Sequence, residues 1–325
     1  MRDYHIHFTG SLPREYIFAK FLEYNKKDDL PLNMQEIKTY TQFLDKLNNS
    51  FSRDYQYNKI KFFEIYELFQ KITKPRTAEE YAAAYSDGCF EICKNFVNNG
   101  ISNFDIISGP CTTIDLTYSR LKNMIKGIER AEELFNKKVS ARIRLTFIRN
   151  SAGLIKNYSV PLLKDIFELL KEPYFSKRII GFDISGEEKP IKSYFEENCS
   201  IIENIRELNR KIGTHFEIGI HAGENISNTP EDEEYFLLFR KLLTLDITRI
   251  CHGTFLWLNI DEEKKDLLRA FADKKVIFDI CPKANLLLTP LKSYAQIPTS
   301  FFKEIGLPYT FNRDNPSIFD NLIIP

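Results

Sequence analysis

The chain has 325 residues, enough to bury a sizeable core in one large domain or two ordinary ones. Its 45 Lys and Arg balance 45 Asp and Glu, and this zero net charge argues against nucleic-acid or membrane-surface binding. No run approaches the ~20 apolar residues of a membrane span, and no signal-peptide pattern precedes Tyr4. The six cysteines (Cys89, Cys93, Cys111, Cys199, Cys251, Cys281) lack any C-x-x-C spacing, so a cytoplasmic protein with reduced core thiols is expected.

Eight short apolar or alternating runs predict strands: Tyr4–Phe8, Ile101–Ser108, Ala141–Ile148, Ile179–Ser185, Phe216–His221, Ile247–His252, Val276–Cys281 and Pro308–Arg313. Most intervals after the second run repeat apolar residues at three- and four-residue spacing, as in Leu162–Leu170, Ile201–Ile212 and Tyr235–Leu243. Strand alternating with helix, to a count of eight, predicts the α/β class and a single (β/α)8 TIM barrel over residues 1–325. Roughly ninety residues separate the first two strands, far more than one crossover helix needs. Helical patterns at Phe18–Tyr24, Thr41–Leu47, Ile60–Ile72 and Ala78–Val97 assign about 12–100 to a helical lid insertion. Nine residues follow Pro316, too few for a full closing helix. Another element, an oligomeric or other partner chain, or further sequence is expected to cover that flank.

Histidine is scarce, with five in the chain, yet four of them fall where a metal-dependent hydrolase needs them. His5 and His7 form an H-x-H pair, which a strand sends to one face. His221 lies in Ile220-His221-Ala222-Gly223-Glu224, His252 in Cys251-His252-Gly253, and Asp314 in Arg313-Asp314-Asn315-Pro316. These fall at the predicted C-terminal ends of strands five, six and eight, the rim where barrel enzymes gather catalytic residues. Neutral imidazole and carboxylate suit Zn²⁺ with a position open for water, so His5, His7, His221 and Asp314 are the expected ligands. Glu224, three residues past His221, reaches a substrate without binding the metal, as a proton shuttle needs. His252 is placed to orient or deprotonate a water whose pKa the metal lowers towards ~7. His215 lies just before the fifth strand, roughly 20 Å from the rim, and reads as structural. Asp183 reads as a buried structural carboxylate.

These segments resemble the adenosine deaminase family. The pattern H-x-H-x-[DN]-G-[AS] reads His5-Ile6-His7-Phe8-Thr9-Gly10-Ser11, and D-L-A-G-[DE]-E reads Asp183-Ile184-Ser185-Gly186-Glu187-Glu188. H-A-G-E is intact at His221–Glu224, and R-[IV]-G-H-G reads Arg249-Ile250-Cys251-His252-Gly253. C-P-x-S-N reads Cys281-Pro282-Lys283-Ala284-Asn285, and T-D-D-P reads Arg313-Asp314-Asn315-Pro316. The resemblance implies hydrolytic deamination of an adenine nucleoside or 5′-nucleotide with one zinc per chain. Glu224 would protonate ring N1 while hydroxide attacks C6, Asp314 would also touch the attacking water, and His252 would hold it. The Gly186 N–H would donate to purine N3. The fourth strand lacks the Lys of binuclear relatives, which favours a single ion.

Four positions depart from the pattern. Thr9 stands where the adenosine enzymes usually carry the Asp that contacts the ribose 5′-hydroxyl. A carboxylate there repels a 5′-phosphate, whereas a hydroxyl can donate to one, so AMP-type substrates are expected. Asn315 replaces an Asp that bonds purine N7, and its amide can donate there. Ala284 lacks a family hydroxyl, and Ile107 stands where an Arg often follows the second strand; both read as drift in the site's surroundings. Thr113, Lys122 and Lys283 are candidates to meet a phosphate. Removal of a substituted amine, as from an N6-alkyl AMP, is one alternative. A catalytically weakened purine-binding or regulatory subunit is another.

Overall fold

A barrel closes only if every strand finds a neighbour on each side. In the computed structural model, which describes residues 2–23, 32–48, 50–75, 77–149, 155, 157–188, 192–224 and 232–320, eight parallel strands stand in sequence order. They are β1 (Arg2–His7), β2 (Asn103–Ser108), β3 (Ser140–Arg149), β4 (Ile179–Gly186), β5 (Glu217–Ala222), β6 (Arg249–His252), β7 (Ile277–Ile280) and β8 (Tyr309–Phe311). The seam between the last and first strands is made just past β8, where His7 N–H donates to Asp314 O (2.9 Å) and Asp314 N–H to His5 O (3.0 Å). All eight predicted strands are present, with ends shifted by a few residues. No helix among the described residues is long and apolar enough to cross a membrane.

Six helices connect β1 to β2: α1 (Phe8–Ser11), α2 (Arg14–Glu23), α3 (Leu32–Gln35), α4 (Tyr40–Asn48), α5 (Tyr55–Thr73) and α6 (Ala78–Asn98). Capping residues set the boundaries of the two long ones: Asp54 accepts from Gln56 N and Tyr57 N, and Thr77 accepts from Glu80 N. Phe18, Phe21, Phe43 and Phe69 form one aromatic cluster that joins α2, α4 and α5. The next helix, α7 (Ile114–Leu134), follows β2 and packs along α6. Hence α6 serves as the crossover helix that a β–α–β unit requires, and the excess over that unit lies in α2–α5.

The packing of α6 on α7 depends on Gly127. A Cβ built there would stand 2.1 Å from the Ser86 carbonyl oxygen, so the helices approach backbone to backbone. Gly127→Ala gains up to about 1 kcal/mol of helix propensity, but overpacking of this severity costs about 1–3 kcal/mol or more. A lowered urea midpoint is the expected result, and an unchanged or raised one would show that the two helices can separate freely.

The outer ring continues with α8 (Val160–Leu169), α9 (Pro173–Ser176), α10 (Lys192–Ile212), α11 (Asp232–Leu243), α12 (Thr254–Trp257), α13 (Glu262–Asp273), α14 (Pro282–Leu288) and α15 (Thr299–Glu304). Beyond β8 the described residues add one turn, α16 (Pro316–Phe319). Its Phe319 is buried and stacks on Phe62 of α5, with ring centroids 5.3 Å apart. The elements between β1 and β2 therefore pack over this end of the chain.

Inside the barrel, beneath the histidines, lies a layer of buried charge. Arg144 and Asp279 are both fully buried. Arg144 meets Glu217 at 2.8 Å and Asp105 at 3.4 Å, while both oxygens of Asp279 accept from Arg249. Thr310 Oγ1 donates to Asp279 at 2.7 Å, and Arg142 to Asp105 at 2.9 Å. Buried ions persist only when paired and hydrogen-bonded, and these strands supply both signs at one level.

Candidate active site

The two-residue period of β1 turns His5 and His7 inward, and the ends of β5 and β8 deliver His221 and Asp314 to the same point. His7 Nε2 lies 3.2 Å from His221 Nε2 and 3.3 Å from Asp314 Oδ1, and His5 Nε2 is 3.6 Å from that oxygen. Neither ring nitrogen of the fully buried His5 has a hydrogen-bond partner among the described residues. Convergent imidazole and carboxylate groups of this kind are a candidate ligand set for a cation. Carboxylates stand behind two of the rings: Asp183 Oδ2 is 3.0 Å from His221 Nδ1, and Asp279 Oδ2 is 3.7 Å from His5 Nδ1. Such outer carboxylates fix the tautomer and heading of a ligating ring. Burial resists charge on His221, yet Asp183 holds its pKa up to about 10.

The two residues expected to handle protons are adjacent. Glu224 Oε1 lies 3.1 Å from His252 Nε2. Burial, reinforced by Asp314 and Glu188 against the pull of His221, pushes the Glu224 carboxyl up to about 7. Asn285 settles the state of His252. Its Oδ1 accepts from Cys281 N–H at 3.1 Å, so its Nδ2 is the atom that donates to His252 Nδ1 at 3.2 Å. His252 therefore carries its proton on Nε2, facing Glu224. Glu188 fixes the neighbouring backbone by accepting from Gly223 N–H and Glu224 N–H, each at 2.8 Å.

Strand ends at this rim turn sharply. Gly186 (φ 94°), Gly223 (φ 76°), His252 (φ 67°), Gly253 (φ 62°) and Asp314 (φ 64°) all adopt left-handed backbone. For His252 and Asp314 that conformation costs roughly 1–3 kcal/mol each, and it aims both side chains at the cluster. Gly186 has a further requirement, since a Cβ would meet the Arg149 carbonyl oxygen at 2.4 Å.

The sequence model of the adenosine deaminase family matches residues 2–324. The chain belongs to the adenosine deaminase family. An adenosine deaminase from Clostridium botulinum (strain Langeland / NCTC 10281 / Type F) is 24% identical over 333 residues, covering 99% of this chain and 83% of the relative. In fold the chain is similar to the N6-methyl-AMP deaminase of Arabidopsis thaliana (TM-score 0.68, 15% identity, 98% of this chain and 81% of that one). It is also similar in fold to an amidohydrolase from Burkholderia ambifaria determined with bound zinc (TM-score 0.63, 14% identity, 97% and 75%). Adenosine deaminase family membership makes the chain a hydrolase that deaminates purines.

The histidine cluster opens into a cavity of about 820 Å³, within the range of small-molecule pockets. His7, His221, Asp314, Glu224, His252, Thr9, Gly186 and Asn315 all line it. His215 is exposed and lies outside it. The Asn315 amide is already engaged, with Nδ2 donating to Asp314 Oδ1 at 2.8 Å while Oδ1 is buried without a partner among the described residues. The same side chain explains Gly10, where a Cβ would stand 1.8 Å from Asn315 Oδ1. None of the three residues put forward for a phosphate reaches the cavity. Thr113 caps α7, Lys122 lies over the ring of Tyr118, and Lys283 donates to Asp320 O. The cations that do line it are Lys59, Lys74, Arg120 and Arg149, of which Arg149 braces the rim by donating to His221 O (3.0 Å) and Gly186 O (3.1 Å). Glu188 was visible in sequence within the G-E-E motif. Lys59 and Arg120 carried no such signal, because isolated charges on helices usually mark a solvated face.

Proposed function

We propose that this family member hydrolytically deaminates an adenine 5′-nucleotide or nucleoside, using one zinc ion held by His5, His7, His221 and Asp314. The observation that carries the reading is the convergence of these groups, with His7–His221, His7–Asp314 and His5–Asp314 contacts of 3.2, 3.3 and 3.6 Å and a nitrogen from each of the three rings within 4.8 Å of the others, beside a carboxyl whose pKa lies near neutrality. Zinc bonds to nitrogen and oxygen run ~2.0–2.2 Å, so contacts of this length between imidazole and carboxylate atoms would suit donors that share one zinc ion and leave it room for a water. When bound, zinc supplies a Lewis acid that lowers the pKa of water towards ~7.

The protein's own groups do the rest. Glu224, whose pKa of about 7 leaves a protonated fraction at neutral pH, delivers its proton to ring N1, which makes C6 electrophilic. His252, with hydrogen on Nε2, donates to the oxygen that attacks C6 and so orients it; the tautomer favours this role over that of a base. The Gly186 backbone presents an N–H to the purine edge where no side chain intrudes. Phe62, Phe63 and Tyr66 of α5 line the cavity and form a lid that excludes water over the base. Water and the 6-aminopurine become the 6-oxopurine and ammonia. At the sugar end Thr9 replaces a carboxylate with a hydroxyl, which supports a 5′-phosphorylated substrate.

A deamination panel with metal analysis tests this reading. Adenosine, deoxyadenosine, AMP, dAMP and N6-methyl-AMP are followed by ultraviolet absorbance and ammonia or methylamine release. Turnover of at least one with about one zinc per chain is expected. A full zinc complement with no turnover of any substrate would sink the proposal and leave a purine-binding protein in its place.

A further inference from the structure

Arg120 has the chemistry of an anion site and no anion. It lies on α7, half-buried in the cavity wall. Its Cζ stacks 4.7 Å from the Tyr85 ring centroid, Nε donates to the Tyr81 hydroxyl at 3.2 Å, and Nη1 donates to the Gly109 carbonyl at 2.5 Å. All three partners are neutral. Among the described residues no carboxylate pairs with Arg120, and its Nη2 makes no hydrogen bond. A guanidinium keeps its charge at any ordinary pH, so this wall of the cavity holds a fixed, pre-oriented and uncompensated cation.

Its place relative to the ligand cluster is set by strand register. Ile107 of β2 pairs with His7, and Gly109 follows two residues later. At ~3.3 Å per residue and ~4.8 Å between strands, Gly109 lies ~8 Å from His7, above the ligand layer. Tyr85, on which the guanidinium stacks, packs against Phe8 with ring centroids 5.3 Å apart, and Phe8 leads directly into Thr9. The carboxylates Glu187, Glu188 and Glu224 stand instead at the ends of β4 and β5. The cavity is therefore polarised. Carboxylates stand on the β4–β5 side and a bare guanidinium on the β1–β2 side, and Thr9 lines the same cavity.

We propose that Arg120 is the specificity-determining anchor for the phosphate of a purine nucleoside 5′-monophosphate, with Tyr81 and Tyr85 holding its guanidinium for that purpose. This rests on the reading of the site as a purine deaminase. Base and phosphate would occupy opposite sides of the cavity, with the ribose crossing above His7 and Thr9. A guanidinium–phosphate contact is charge-assisted and multidentate. Its loss weakens nucleotide recognition by about 10- to 100-fold, while a nucleoside without phosphate has no such contact to lose.

The experiment measures kcat/KM for AMP and adenosine in wild type, Arg120→Ala and Arg120→Lys. Equilibrium binding of AMP and adenosine is measured in parallel on a Glu224→Gln background. Wild type is expected to prefer AMP, the AMP-to-adenosine ratio should fall about 10- to 100-fold in Arg120→Ala, and lysine should restore part of it. A ratio unchanged within about threefold, or a wild type that prefers adenosine, overturns the proposal. Because the readout is a ratio within one variant, partial loss of folded protein cancels. If no substrate is turned over, the deaminase reading falls by itself, and the binding arm still decides on Arg120. An AMP preference abolished by Arg120→Ala upholds the anchor, and no preference for AMP refutes it.

Discussion

Replacing Glu224 with Gln is expected to lower kcat about 10³-fold while zinc content stays at one per chain. The side chain lies three residues past His221, beside His252 Nε2, and stands outside the proposed ligand set. Its proton is available because burial lifts the carboxyl to about 7. Gln keeps the shape and the hydrogen bond from His252 but has no acidic proton to give, and positioned general acids contribute about 10²–10⁴-fold. Glu188 holds the backbone of Gly223 and Glu224 independently of the side chain at 224, so the substitution leaves the rim in place. Metal analysis and single-turnover kinetics would separate the steps. Retention of a tenth or more of wild-type kcat would assign the proton to another group.

The second large effect concerns stability. Asp279→Ala should destabilise the metal-free protein by about 3–5 kcal/mol, the cost of leaving buried charge unpaired. Asp279 accepts from Arg249 through both oxygens and from Thr310 and Asn312, and it stands 3.9 Å from the buried Arg144. Burial works against its ionisation, yet the Arg249 guanidinium and His5 hold its carboxyl well below the usual range. Removing it leaves the buried Arg249 guanidinium with Glu217 at 3.9 Å as its nearest carboxylate among the described residues, while Arg144 keeps Glu217 and Asp105. Urea unfolding of the apo protein isolates this from any change in metal affinity through His5. A loss under about 1 kcal/mol would mean that water enters the layer and solvates the arginines.

The barrel and the ligand cluster were legible in sequence for different reasons. Eight strands announced themselves because parallel strands buried on both faces read as apolar runs, and each run found its place in the ring. The cluster was legible because imidazole is rare in this chain and its spacing on β1 fixes a shared face. The charged layer was visible only as isolated oddities, such as Asp105 within Phe104–Ile106 and Arg144 within Ile143–Leu145. Its pairings join residues whose register in the closed sheet no local pattern specifies. The wall of the cavity was the least legible part. Lys283 was put forward for an anion and Arg120 was not, and only tertiary packing turned the first towards Asp320 and the second into the cavity.

The seam between β8 and β1 gives the proposed ion a mechanical task besides its chemical one. His5 and His7 sit near the chain's start and Asp314 near its end, and they meet where the ring of strands closes. A cation held by all three rivets residue 5 to residue 314 and shuts a loop of roughly 310 residues. Every path by which the ring could part at that seam then requires breaking metal–ligand bonds. Filling the site would thereby lock the barrel, and the event proposed to arm the enzyme would also make its architecture hard to undo.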